Sequence, residues 1–237
     1  MKILLICGHG AGDPGACAFG YKEAYLVRDY APMLKDKLSK YAEVTIFDTD
    51  KNMYEYLKTG HSFNFKNYDY ILELHFNAAV NDVNGDGKTT GTEILVHQNE
   101  KGTSVEQSIL KNICGLGFRN RGIKVRSDLL NMNVCKGKQG VSYALLETCF
   151  IDDADDIKLY IDKKSHIVEA IANGIISGFG LKAKQTYLES ANDIAWELNH
   201  SYFPIIEMSN FVKALDKAKK ESSPLYWGYY KLVNKIK

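Results

Sequence analysis

Two histidines stand where apolar runs give way to turn formers. Lys2-Ile3-Leu4-Leu5-Ile6-Cys7 has the pattern of a strand covered on both faces, and it breaks into Gly8-His9-Gly10-Ala11-Gly12-Asp13-Pro14-Gly15. A second run, residues 68–74, leads directly into His75-Phe76-Asn77-Ala78. In open α/β sheets the carboxyl ends of parallel strands share one rim, so neighbouring strands bring His9 and His75 together. Glu23, just after Gly20 and at the start of a helical pattern, adds a carboxylate. Two imidazoles and one carboxylate suit zinc, and three protein donors with one position left open make a catalytic rather than a structural set. A metal there lowers the pKa of a water and polarises a carbonyl, which opens an amide to attack near neutral pH. A further carboxylate must then carry the proton to the leaving amine. Glu147, where the apolar run 141–146 ends with no basic neighbour, is the candidate. Asn77, just beyond His75, is placed to hold a substrate amide.

The elements that must position these residues alternate as in an α/β fold. Strands are expected at 2–7, 43–47, 68–74, 92–97 and 141–146, the fourth with clean polar and apolar alternation. Tyr25, Leu26, Tyr30, Met33, Leu34 and Leu38 recur at helical spacing after Glu23, and further helices are expected at 52–57, 105–116, 152–160 and 165–179. The stretch 118–140 reads as a basic, irregular loop region facing substrate or solvent. Around residues 180–185 the alternation stops. Ala191, Ile194, Ala195 and Leu198 mark one amphipathic helix, Met208, Phe211, Val212 and Leu215 a second, and Ser223-Pro224 opens a third with Tyr226, Tyr229, Tyr230 and Val233. The expected organisation is a catalytic domain over 1–181 and a three-helix module over 186–237.

Composition narrows the class. With 30 basic against 29 acidic residues the formal net charge is +1, and no basic stripe appears, which argues against nucleic-acid binding. Five cysteines without C-x-x-C spacing read as reduced thiols. No apolar run is long enough to span a bilayer, and the first residues enter a strand without a basic, cleavable leader. The expectation is synthesis in the cytoplasm without a signal peptide. Asp82-Val83-Asn84-Gly85-Asp86-Gly87, with Glu93 at the twelfth place, has the spacing of a calcium-binding EF-hand loop. Strands rather than helices flank it, so calcium is not expected over 82–93.

Taken together, these motifs resemble zinc-dependent N-acetylmuramoyl-L-alanine amidases of bacterial autolysins and phage endolysins. The resemblance runs through Gly8-His9-Gly10 with Asp13-Pro14-Gly15-Ala16, Glu23, Glu73-Leu74-His75-Phe76-Asn77-Ala78, Gly91-Thr92-Glu93, Asn120-Arg121-Gly122 and Leu145-Leu146-Glu147-Thr148-Cys149-Phe150-Ile151 with Asp155. It covers roughly three-quarters of the chain in order and spacing. It implies one catalytic zinc on His9, Glu23 and His75, Glu147 as catalytic glutamate, and a mixed, mostly parallel sheet with helices on both faces. The implied substrate is peptidoglycan, cut at the amide between N-acetylmuramic acid and L-alanine of the stem peptide. A phage or prophage endolysin acting on the cell wall after release fits best, with the C-terminal helices serving wall targeting or self-association into a homo-oligomer. The alternatives are a zinc peptidase or amidohydrolase on another amide, and an inactive wall-binding protein.

Overall fold

The computed structural model describes residues 1–184, of which Met1–Lys182 form one compact unit. Strand β1 (Lys2–Cys7) ends in a glycine-rich loop, and a two-residue-per-strand hairpin, β2 (Cys17–Ala18) and β3 (Tyr21–Lys22), leads into helix α1 (Glu23–Ser39). There follow β4 (Glu43–Ile46), α2 (Met53–Lys58), β5 (Tyr70–Asn77), β6 (Thr92–His97), α3 (Ser104–Cys114) and β7 (Asn120–Arg126). A short α4 (Leu130–Met132) runs into the π-helical turn Asn133–Lys138, and β8 (Ser142–Phe150) precedes α5 (Ala154–Phe179). Six strands make one sheet in the order β4-β1-β5-β8-β6-β7. Every pairing is parallel except β6 with β8, so the sheet is mixed and mostly parallel, with helices around it.

Alternate residues of each strand point to opposite faces, and both faces are covered. Ile3, Leu5, Leu72 and Leu146 pack with Val27, Tyr30 and Leu34 of α1, Ile109 of α3 and Ile171 of α5. On the opposite face Leu4, Ile6, Ile71, Tyr143 and Leu145 meet Met53, Phe65, Met132 and Cys135. Two-sided burial is why β1 reads as an unbroken apolar run. Asp153 caps α5, its Oδ1 accepting from the backbone of Asp155 and Asp156 at 2.9 Å. Cys7, Cys17, Cys114, Cys135 and Cys149 are free thiols. Among the described residues no helix is long and apolar enough to cross a membrane.

The structure differs from the sequence expectation in four places. All six residues of β6 are buried instead of alternating, because both faces are covered: Ile94 and Val96 join the core with Ile109 of α3, and Leu95 the core with Met132 and Cys135. The supposed loop 118–140 contains β7, an edge strand whose exposed Lys124 and Arg126 hide the strand pattern and suit an unpaired edge. The helices expected at 152–160 and 165–179 are one helix, α5, interrupted at Lys163, where φ and ψ are −121° and 17°. β5 and β8 extend past their apolar runs, so His75 and Glu147 are paired within the ladder rather than standing beyond it. The module expected over 186–237 lies outside the described residues.

Candidate metal centre and catalytic site

Parallel pairing of β1 with β5 brings the two histidines to one rim, their ring centroids 5.0 Å apart and nearly perpendicular. His9 follows Gly8 with a left-handed φ of 59°, a conformation that costs a non-glycine residue roughly 1–2 kcal/mol. Arg28 on α1 holds that backbone by donating to the carbonyls of Gly8 at 2.9 Å, His9 at 2.8 Å and Thr49 at 3.0 Å. Gly8 itself has no room for a side chain, since a Cβ would come within 2.4 Å of the His75 ring.

Glu23, at the first turn of α1, lies between the imidazoles. Its Oε2 is 3.1 Å from His9 Nε2, and its Oε1 is 2.8 Å from His75 Nδ1. The same two oxygens accept backbone N–H groups from Ala16 at 3.0 Å and Phe76 at 2.9 Å. Burial pushes the Glu23 carboxyl up, but the hydrogen bonds from His75 and His9 outweigh it and hold the pKa well below the usual range. Each imidazole is braced on its far nitrogen by a carboxylate: Asp13 Oδ2 lies 2.8 Å from His9 Nδ1, and Glu73 Oε1 lies 3.0 Å from His75 Nε2. Asp13 receives the backbone N–H of Gly15 and the side-chain amide of Asn52. Glu73 receives the Asn131 amide at 2.9 and 3.1 Å and the Tyr143 hydroxyl. Burial pulls the His75 pKa down, yet Glu23 and Glu73 raise it well above the ordinary value.

One donor atom each from His9, Glu23 and His75 lies within 4.8 Å of the others. Two nitrogens and a carboxylate oxygen facing one point, with each imidazole oriented from behind by a carboxylate, fit a divalent cation of the zinc type. Glu147 faces the same rim, since its register partners are His75 on β5 and Glu93 on β6. Its Oε2 is buried and meets no hydrogen-bond donor among the described residues. Burial pushes its carboxyl up to about 7, with His75 pulling against that and Glu23 and Glu93 pushing further. Asn77 is engaged within the protein: its Nδ2 donates to Glu93 Oε1 at 2.9 Å and its Oδ1 accepts from the Ala78 backbone.

The family model described as N-acetylmuramoyl-L-alanine amidase matches residues 3–177. The chain belongs to that family. The probable autolysin PH of Staphylococcus aureus is 30% identical over 195 residues, which cover 75% of this chain and 38% of the autolysin. The N-acetylmuramoyl-L-alanine amidase CwlM of Bacillus licheniformis is 27% identical over 187 residues, 75% of this chain and 67% of its own. This chain thus spans well under half of the first of these relatives and about two thirds of the second. The solved catalytic domain of an endolysin targeting Clostridia Difficile matches with a TM-score of 0.58 at 26% identity, over 75% of this chain and 97% of that domain.

In this amidase-family chain the structure brings together His9, Glu23, His75 and Glu147, the residues that spacing and resemblance single out. Sequence reasoning missed the roles of Asp13, Arg28, Asn131 and Arg121. Asp13 has a local signal, a carboxylate four residues beyond a histidine in a glycine-rich loop. Arg28 has one only in hindsight, as a cation beside the buried Val27 on α1. The EF-hand spacing does not assemble as such: Glu93 stays in β6, bonded to Asn77 and Arg121, while Asp155 joins Asp82 and Asp86 instead.

Proposed function

We propose that the chain hydrolyses the amide between the lactyl group of N-acetylmuramic acid and L-alanine of the stem peptide in peptidoglycan. In this reading His9 Nε2, His75 Nδ1 and the Glu23 carboxylate hold one zinc, and Glu147 moves the proton. Zinc bound there supplies Lewis-acid polarisation of the amide carbonyl and a water whose pKa is drawn toward neutrality. Glu147 takes a proton from the attacking water and delivers it to the amide nitrogen, which then leaves as the free amine of L-alanine. A carboxyl held near 7 suits both halves of that task. Asp13 and Glu73 keep the imidazoles in the tautomers that present Nε2 and Nδ1. The observation that carries the reading is the placement of Glu147, a buried carboxylate with an unpartnered oxygen on the same rim as a three-donor set.

Relatives named autolysin and endolysin, one endolysin from a Bacillus phage, support a role in wall lysis, and in this reading the protein reaches the wall after synthesis. Digestion of purified peptidoglycan tests the chemistry. New L-alanine amino termini without new reducing sugar ends are expected. Reducing ends alone would make the enzyme a glycosidase, and new termini elsewhere in the stem would make it a zinc peptidase.

A further inference from the structure

The sheet order lays the site out as a row: His9 and His75 at β1 and β5, Glu147 on β8, Glu93 on β6 and Arg121 on β7. The β6 and β7 register shifts between Thr92 and Ile94, opposite the turn of backbone that carries Arg121, and such irregularities re-aim side chains at strand ends. Arg121 points back into the row. Its Nε donates to Glu93 Oε2 at 2.8 Å, and its guanidinium carbon lies 4.7 Å from the centre of the Phe150 ring. Those contacts fix the plane of the guanidinium and use only one of its edges. Nη1 and Nη2 meet no hydrogen-bond partner among the described residues, and the side chain remains 31% exposed. A guanidinium clamped on Nε, with its Nη pair unengaged among the described residues, is shaped to receive a carboxylate through two parallel hydrogen bonds.

The other side of the metal-ligand set has the opposite character. A cavity of about 340 Å³ opens beside His9 and His75, walled by Tyr54, Leu129, Leu130 and Leu145 and edged by carboxylates such as Asp128, with no Lys or Arg in its lining. Tyr54 and the leucines make that wall apolar, and Asp128 at its edge is already paired with Arg126 at 2.6 Å, so among the described residues this side offers a carboxylate no unengaged cation of its own.

The proton that frees the amine comes from Glu147, so the leaving half of the substrate must lie on the Glu147 side and the acyl half on the other. From this geometry, and resting on the amidase reading above, we infer that the stem peptide runs from Glu147 across β6 to Arg121, which binds the α-carboxylate of the residue after L-alanine. The muramyl half is seated toward the cavity. In stem peptides that second residue is a γ-linked D-glutamate whose α-carboxylate is either free or amidated, so Arg121 is a specificity-determining residue that favours the free acid.

Steady-state kinetics on N-acetylmuramoyl-L-alanyl-D-glutamate and on its D-isoglutamine counterpart test this with the zinc-loaded full chain. The native enzyme is expected to favour the acid by about tenfold or more in kcat/KM, since hydrogen bonds to charged groups carry that much discrimination. Arg121→Gln should erase the preference, chiefly through KM for the acid. Arg121→Lys, which keeps a cation for Glu93 without the two-pronged edge, should retain only part of it and stands in if the glutamine variant fails to fold. A native enzyme indifferent to amidation, a preference that survives in both variants, or an equal loss on both substrates would overturn the inference. Failure of the native enzyme to release alanine termini from either compound would overturn the amidase reading itself.

Discussion

Glu23 and Glu147 are carboxylates on one rim, yet their surroundings push them apart. Glu23 is bound by two imidazoles and two backbone N–H groups and stays ionised, as its proposed role of ligand requires. Glu147 has an oxygen with no donor among the described residues and holds its proton up to about 7, as its proposed acid–base role requires. Zinc analysis of the purified protein should accordingly find about one ion per chain, largely lost in His75→Ala. Glu147→Gln should keep the metal and lose about 100-fold to 10,000-fold in turnover. Full zinc in the first variant, or near-normal turnover in the second, would reassign the role concerned. The same shift has a sign for stability. Because the folded-state pKa of Glu147 is raised from 4.5 to about 7, the metal-free fold binds this proton more tightly than the unfolded chain does. That contribution is present below the unfolded value and is lost as pH rises through 7. In metal-free protein, Glu147→Gln should therefore raise Tm relative to the parent at pH 8 and not at pH 5, and equal shifts at both pH values would contradict the assignment. The proposed ligand histidines are legible in the sequence because each stands where an apolar run stops. Asp13 and Glu73, four and two residues from the histidines they brace, leave a local trace, but Asn131 and Tyr143, which hold Glu73 across 58 and 70 residues of chain, do not, since no local pattern reports such contacts.

Strands buried on both faces and the long amphipathic helices announce themselves by period, which is why β1, β5 and α1 are legible without coordinates. β7 is not, because an edge strand with a charged outer face satisfies no simple alternation. The packing of α3 on α5 is another relation that composition conceals. Gly174 looks like a helix-weakening residue, but a Cβ there would lie 2.6 Å from the Cα and 2.7 Å from the backbone nitrogen of Ile109. Replacing glycine by alanine gains roughly 0.8–1 kcal/mol of helix propensity. Overpacking a tight contact costs about 1–3 kcal/mol, and a clash with backbone cannot be relieved by a rotamer change. The clash should win. Gly174→Ala is expected to lower stability, by up to about 2 kcal/mol in urea titration, with specific activity at low temperature unchanged. A stabilised variant would show that the two helices can separate without penalty.

At the scale of the whole molecule, the solved endolysin catalytic domain is covered to 97% by 75% of this chain, so a domain of that family needs little beyond the compact unit Met1–Lys182. Both sides of the sheet in that unit already carry a closed apolar core. Residues 186–237 contribute neither a metal-ligand set nor a catalytic pair in sequence, and we propose that they serve location or assembly. The aromatic group Tyr226, Trp227, Tyr229 and Tyr230 would suit wall targeting, because flat aromatic rings offer stacking surfaces to sugars. The same residues would equally suit a face between two copies. Truncation after Lys184 separates the two. The shortened protein is expected to cleave a small soluble muramyl peptide at nearly the full-length rate, because the rim residues all precede the cut, and to sediment poorly with intact walls. Should it bind walls as well as the full chain while its solution mass falls by half, beyond the loss of the residues removed, the segment joins copies of the protein and does not target the wall.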